Sequence, residues 1–143
     1  METLAEAMSK EHEKVENSFD EFKKQLDTDF ENSGKFFSKF KWSLEKHFFV
    51  EEKVFFILFE KIENQEVSDV FELMEDHGKM IELIKKIEDD LSEKIKPEVS
   101  ELENTLKKHH NLEDDVLYPK LDKILSSEQK QEILERVKEV IRE

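Results

Sequence analysis

Four stretches of the chain place apolar residues at steps of three and four, and a histidine interrupts each of the four apolar seams. The first seam runs Leu4, Met8, His12, Val15, Phe19, Phe22, Leu26, and the second Phe37, Phe40, Leu44, His47, Glu51, Val54, Leu58. The third runs Val70, Met74, His77, Ile81, Ile84, Ile87, Leu91, and the fourth Val99, Leu102, Leu106, His109, Glu113, Val116. That spacing puts each set on one face of a helix. An ionisable group on a buried face costs free energy unless something pairs with it. Four imidazoles and two carboxylates in matching places point to metal as the pairing group.

Local chemistry sets the element boundaries. Thr3 and Glu6 have capping-box spacing and open a first helix that runs to about Leu26, where Asp27, Thr28 and Asp29 break it. A second helix is expected over about 30–62, a turn at 63–65 and a third helix over about 67–91. Pro97 suits the first turn of a fourth helix reaching about Ile124. Ser126 to Gln129 then cap a short terminal helix ending near Ile141. Two Gly and two Pro in 143 residues, with 42% charged residues, fit long helices and leave little room for sheet turns. Short connections imply antiparallel neighbours. The predicted fold is all-α: an up-down-up-down antiparallel four-helix bundle over about 1–125, with a short C-terminal helix over about 127–141, forming a single domain over 1–143.

The charge sum of −14 disfavours nucleic acid and anionic membranes as partners. The absence of cysteine excludes disulfides, thiolate zinc sites and iron–sulfur clusters. The first residues lack a basic stretch followed by an apolar one, and the longest apolar run, Val54 to Phe59, is too short for a bilayer. A cytoplasmic location is the expectation.

The halves of the chain repeat each other. His47 to His109 spans 62 residues, and so does Glu51 to Glu113. Each half holds one lone histidine, His12 or His77, and one H-x-x-x-E pair. An i, i+4 pair projects from one side of a helix, so each pair can grip one ion or lean its carboxylate across to a second. The sum is two imidazoles per ion and two carboxylates able to bridge. Six ligands overfill a tetrahedral zinc site, which argues for two ions. Mixed imidazole and oxygen ligation suits iron or manganese, with zinc or copper able to substitute. No histidine has Glu three residues before it, which excludes the E-x-x-H signature of ferritin-like bundles, and there is no H-E-x-x-H, phosphate loop or G-x-S-x-G elbow.

This pattern resembles the hemerythrin-like, or HHE cation-binding, domain: a lone His on helix 1, H-x-x-x-E on helix 2, His on helix 3 and H-x-x-x-[ED] on helix 4. The segment HHNLEDDVLYP, from His109 to Pro119, is similar to the family's helix 4 signature. The resemblance implies metal ligands His12, His47, Glu51, His77, His109 and Glu113. It also implies a cofactor of two iron ions, Fe2+ or Fe3+, joined by an oxo or hydroxo bridge, with Mn or Zn as substitutes. Oxygen-carrying members have H-x-x-x-H on helix 3, whereas Ile81 stands four residues after His77 here. The expected function is binding or sensing of O2 or NO at that centre, rather than reversible oxygen carriage. The alternatives are an iron-handling or iron-centre repair protein, and a di-iron peroxidase or NO-reducing enzyme. A purely structural bundle ranks last, and no catalytic acid or base is evident beyond the ligands.

Several neighbours are expected to be bystanders. Pairing His110 with Asp114 would shift the face by one residue, so His110 is expected to lie outside the ligand set, with a place behind the ligands or as an extra ligand the alternative. Glu52, Asp114 and Asp115 are expected in solvent, as is Asp76, for which a place behind His77 is the alternative. Phe40, Leu44, Val54, Leu106 and Val116 are expected to wall the site. Gly78 in mid-helix suggests close helix approach. The second helix has more aromatics than one inner face needs, and the surplus suits a homodimer interface.

Overall fold

The computed structural model describes residues 2–56 and 68–142, and these residues are helical with no strand among them. Helix α1 spans Leu4–Thr28 and a 3-10 turn Phe30–Asn32 leads into α2, Ser33–Val50. Helix α3 spans Ser68–Ser92, α4 Ser100–Leu112, α5 Tyr118–Ile124 and α6 Ser127–Arg142. The expected turn at 63–65, the end of the second helix and the side chains of Leu58 and Val70 lie outside the described residues.

The caps explain where the helices start. The Thr3 hydroxyl accepts the Glu6 N–H at 3.0 Å, and the Asp122 carboxylate accepts the Leu4 and Ala5 N–H groups at 2.9 and 3.1 Å. A negative charge from α5 thus sits on the positive end of α1. At α6, Ser126 Oγ accepts from Gln129 N at 3.2 Å while Gln129 Oε1 accepts from Ser126 N at 2.9 Å, a reciprocal capping box. The expectation for Pro97 is corrected: Pro97 precedes the helix, which begins at Ser100, where the Glu98 carboxylate accepts the Ser100 N–H at 2.9 Å. Helix α3 closes on a Schellman turn. Ile95 N donates to Asp90 O and Lys94 N to Leu91 O, with Lys94 at φ 63°.

Neither long inner helix stays α-helical. A π-helical stretch, Glu51–Phe56, continues α2, and a second, Glu113–Leu117, joins α4 to α5. In the second, Tyr118 N donates to Glu113 O, five residues back. Each stretch begins at the glutamate of an H-x-x-x-E pair. The wider turn rotates the inner face by about one residue. Phe55, Phe56 and Leu117 are therefore buried, while the expected wall residues Val54 and Val116 are only partly so. On α3 the expected seam is corrected as well: Met74 and Ile81 are 46% and 56% exposed, and Leu73 and Met80 take the inner positions.

Buried apolar side chains form two cores. One gathers Leu4, Met8, Val50, Phe55, Leu73, Leu117 and Leu121 with Ile133, Leu134 and Val137 of α6. The other gathers Val15, Phe19, Phe22, Phe37, Phe40, Leu44, Met80, Ile84, Leu102 and Leu106. Each seam passes from one core to the other at its histidine. Met8 gives way to Val15 across His12, Leu44 to Phe55 across His47 and Glu51, Leu73 to Met80 across His77, and Leu106 to Leu117 across His109 and Glu113. Trp42 and Phe49 of α2 remain 57% and 52% exposed. No helix among the described residues is long and apolar enough to cross a membrane.

Candidate metal centre

The polar layer between the two cores holds all six residues expected as ligands. None of the six is more than 4% exposed, and Glu51, Glu113 and His109 are fully buried. They fall into two groups whose ligand atoms lie within 4.8 Å of one another: His12, His47 and Glu113, joined by His110, and Glu51, His77 and His109.

The two glutamates reach both groups. Glu51 Oε1 lies 2.5 Å from His47 Nε2, while its Oε2 lies 3.0 Å from His109 Nε2 and 3.3 Å from His77 Nε2. Glu113 Oε1 lies 3.1 Å from His12 Nε2, and its Oε2 3.5 Å from His109 Nε2. Several of these approaches lack hydrogen-bond alignment. His12 Nε2, His47 Nε2, His110 Nε2, Glu51 Oε1 and Glu113 Oε1 are buried with no hydrogen-bond partner. Buried polar atoms without partners are rare in folded proteins. Within the second group His77, His109 and Glu51 meet hydrogen-bond geometry with one another, whereas the bare nitrogens and oxygens around His12 and His47 face each other without donors, an arrangement that a cation would satisfy, so the residues fit metal.

Carboxylates orient the imidazoles from behind. His77 Nδ1 donates to Glu52 at 3.0 Å, His109 Nδ1 to Asp76 at 3.3 Å and His110 Nδ1 to Glu16 at 3.0 Å. Asp114 Oδ1 is 3.0 Å from His12 Nδ1, although the alignment there is not that of a hydrogen bond. A proton fixed on Nδ1 leaves the Nε2 lone pair free to face the centre, as outer carboxylates do for metal-bound histidines. Tyr118, fully buried, donates its hydroxyl to Glu113 Oε2 at 3.4 Å.

Burial and mutual charge set the ionisation of the metal-free layer. Burial, reinforced by His47 and His110, holds the His12 imidazole well below its ordinary value and hence neutral. Burial opposes the charge of Glu51, but His47 and His109 outweigh it and hold Glu51 ionised, well below the usual carboxylate range. Burial would likewise lower His109, yet Glu51 and Asp76 raise it. Burial with Asp115 and Glu16 nearby pushes Asp114 up to about 6. Burial also drives the Tyr118 phenol well above its usual value.

The structure places the neighbours as follows. His110 is 2% exposed and lies in the cluster. Asp76 is 7% exposed rather than solvated, and Glu52 and Asp114, although partly exposed, each reach a histidine. Asp115 is exposed as expected. A Cβ on Gly78 would meet nothing within 4 Å, so close helix approach does not explain that glycine. Seam spacing finds residues that face the centre and gives no weight to those that reach it from its flank, such as Asp76, Glu52, Glu16 and His110. Each has another carboxylate or imidazole nearby in sequence, and in a chain with 37 acids that is no signal.

No curated protein and no solved structure matches the chain. The sequence model of the hemerythrin HHE cation binding domain matches residues 3–92 and 68–143. With those matches spanning nearly the whole chain, and His and Glu side chains of all four seams gathered in one buried layer, the chain belongs to the hemerythrin HHE cation-binding domain family.

Proposed function

We propose that the chain is a cytoplasmic non-haem di-iron protein that binds O2 or NO. Its fold is read as an up-down-up-down four-helix bundle, a reading supported by the alternating passage of the seams between the two cores. The observation that carries the dinuclear reading is that Glu51 and Glu113 each offer one oxygen to each histidine group. Two carboxylates so placed could reach two ions, of which His12 and His47 would hold one and His77 and His109 the other. The irons, when bound, supply the electrons and open coordination that a diatomic ligand requires.

The protein's part is to hold, orient and exclude. Asp76 and Glu52 fix the His109 and His77 rings through their Nδ1 protons. Phe48 stacks on His77 with centroids 3.9 Å apart, and Phe56 packs at 5.3 Å. Leu44, Leu106 and Phe40 are buried in the neighbouring core and close that side to water. A surface groove of about 520 Å³ ends on Phe48 and Glu52, the side chains that touch His77. A second, smaller pocket of about 200 Å³ is lined by His47 itself, so both halves lie near the surface, and an ion held by only His77 and His109 would have room for a small ligand. Trp42 and Phe49 supply the exposed apolar surface for the proposed homodimer.

Anaerobic NO added to the diferrous protein should produce a new absorption spectrum, and azide added to the diferric protein a new charge-transfer band. A centre unchanged by both would be closed, and the reading as a diatomic-binding protein would fail.

A further inference from the structure

We infer that His110 is a third imidazole ligand to the ion held by His12 and His47, so that the two metal sites are unequal. This rests on the dinuclear reading and goes beyond it.

The argument begins with the repeat. Displacement by 62 residues relates His47 to His109 and Glu51 to Glu113, and it relates Phe48 to His110. Adjacent helix residues point about 100° apart. His109 therefore faces the His77 group while His110 turns to the His12 group, as the two clusters record. The related residues take related positions. Phe48 stacks on His77 with centroids 3.9 Å apart and planes at 19°, and His110 stacks on His12 at 3.8 Å and 3°. One half of the protein thus meets the packing need with a hydrocarbon ring, which shows that packing alone does not call for nitrogen.

The imidazole at 110 is also aimed. Glu16 of α1 accepts its Nδ1 proton at 3.0 Å, which leaves the Nε2 lone pair exposed to the cluster. That Nε2 is buried and has no hydrogen-bond partner, and His110 offers a ring nitrogen to a group within 4.8 Å that includes His12, His47 and Glu113. A buried imidazole nitrogen left bare costs free energy, and a cation shared with His12 and His47 would remove that cost once the His110 ring tilts out of its face-to-face stack on His12, since the in-plane lone pairs of parallel rings do not meet at one point. Three imidazoles at one ion and two at the other give a tight site that fills first and a weaker one that exchanges. Metal supply would then decide how many chains carry the second ion.

The test is an anaerobic Co2+ titration followed by calorimetry and visible absorption. The wild-type chain should take up two ions in two unequal steps. His110→Phe keeps the volume and the stacking that Phe48 supplies on the other side, but removes the lone pair. It should weaken the tighter step at least about tenfold, the low end of what losing even an outer partner of a metal ligand costs. The visible bands of the first ion should change with it. Where the phenylalanine variant fails to fold, His110→Ala should show the same loss and recover with added imidazole. Two equal steps in the wild type, or a His110→Phe titration and spectrum identical to wild type, would overturn the inference and leave His110 as a packing residue. Uptake of fewer than two Co2+ by the wild type would instead overturn the dinuclear reading beneath it.

Discussion

The chemistry of this protein is concentrated in single side chains whose behaviour depends on what stands behind them. Asp76 is buried and accepts the His109 Nδ1 proton at 3.3 Å. Asp76→Ala should lower metal affinity by about 10- to 100-fold without unfolding the chain, the range for outer partners of metal-bound histidines. Competition against a chelator of known affinity checks this, and unchanged affinity would remove Asp76 from the centre. Protonation offers a second test. His12, buried, has its pKa depressed well below 6.5 in the folded metal-free chain. The unfolded imidazole takes up a proton as pH falls through about 6.5 and the folded one does not, so acid favours unfolding. His109, raised by Glu51 and Asp76, works in the opposite sense, which is why one residue must be isolated. The metal-free His12→Gln variant should lose less melting temperature than wild type between about pH 7.5 and 5.5. A larger loss in the variant would reverse the assignment. The six seam residues were legible because a polar residue on an apolar stripe is costly. His110 was not, because it enters from the flank of the stripe.

At the level of elements, local signals read well wherever caps decide the outcome. Thr3, Ser126 and Gln129 all bond as their spacing implies. What the sequence could not disclose was the pair of π-helical stretches that begin at Glu51 and Glu113. Only one of the two precedes a proline, Pro119, so proline is not the common cause. What they share is a buried glutamate one turn after a histidine. A π turn is costly in isolation and occurs most often at functional sites. Ordinary helical bonds to His47 and His109 place Glu51 and Glu113, and the π turn after each moves the apolar seam on by one residue, so Phe55 and Leu117 are buried instead of Val54 and Val116. Two backbone positions give simple tests. Gly78 is exposed in mid-helix with open space at its Cβ, so Gly78→Ala should stabilise the chain by about 1 kcal/mol. Lys94 occupies a left-handed C-terminal turn that favours glycine, so Lys94→Gly should stabilise by roughly 0.5–1 kcal/mol. Urea unfolding measures both, and a loss of stability in either variant would contradict the backbone described.

For the molecule as a whole, the polar layer divides one apolar core into two. That layer is a liability without cations, since His12 Nε2, His47 Nε2, His110 Nε2, Glu51 Oε1 and Glu113 Oε1 are buried without hydrogen-bond partners. Iron-loaded protein should therefore melt at a higher temperature than chelated protein, because an ion that binds only the folded chain stabilises it by mass action. In the chelated protein near neutral pH, the double variant Glu51→Gln with Glu113→Gln should be less stable than wild type, because His47 and His109 hold Glu51 ionised, and it should no longer gain stability from iron. Differential scanning calorimetry on both pairs decides this. Helix periodicity made the all-helical fold and the buried layer legible, whereas the way the layer splits into two groups depends on side-chain reach across helices that no periodicity encodes. The central claim is that this layer holds two ions through glutamates that reach both groups. The most direct measurement is iron per chain by elemental analysis after saturating anaerobic reconstitution and desalting. Two irons per wild-type chain, falling in His47→Ala and in His109→Ala, is the predicted result. A wild-type value that stays at one would contradict it.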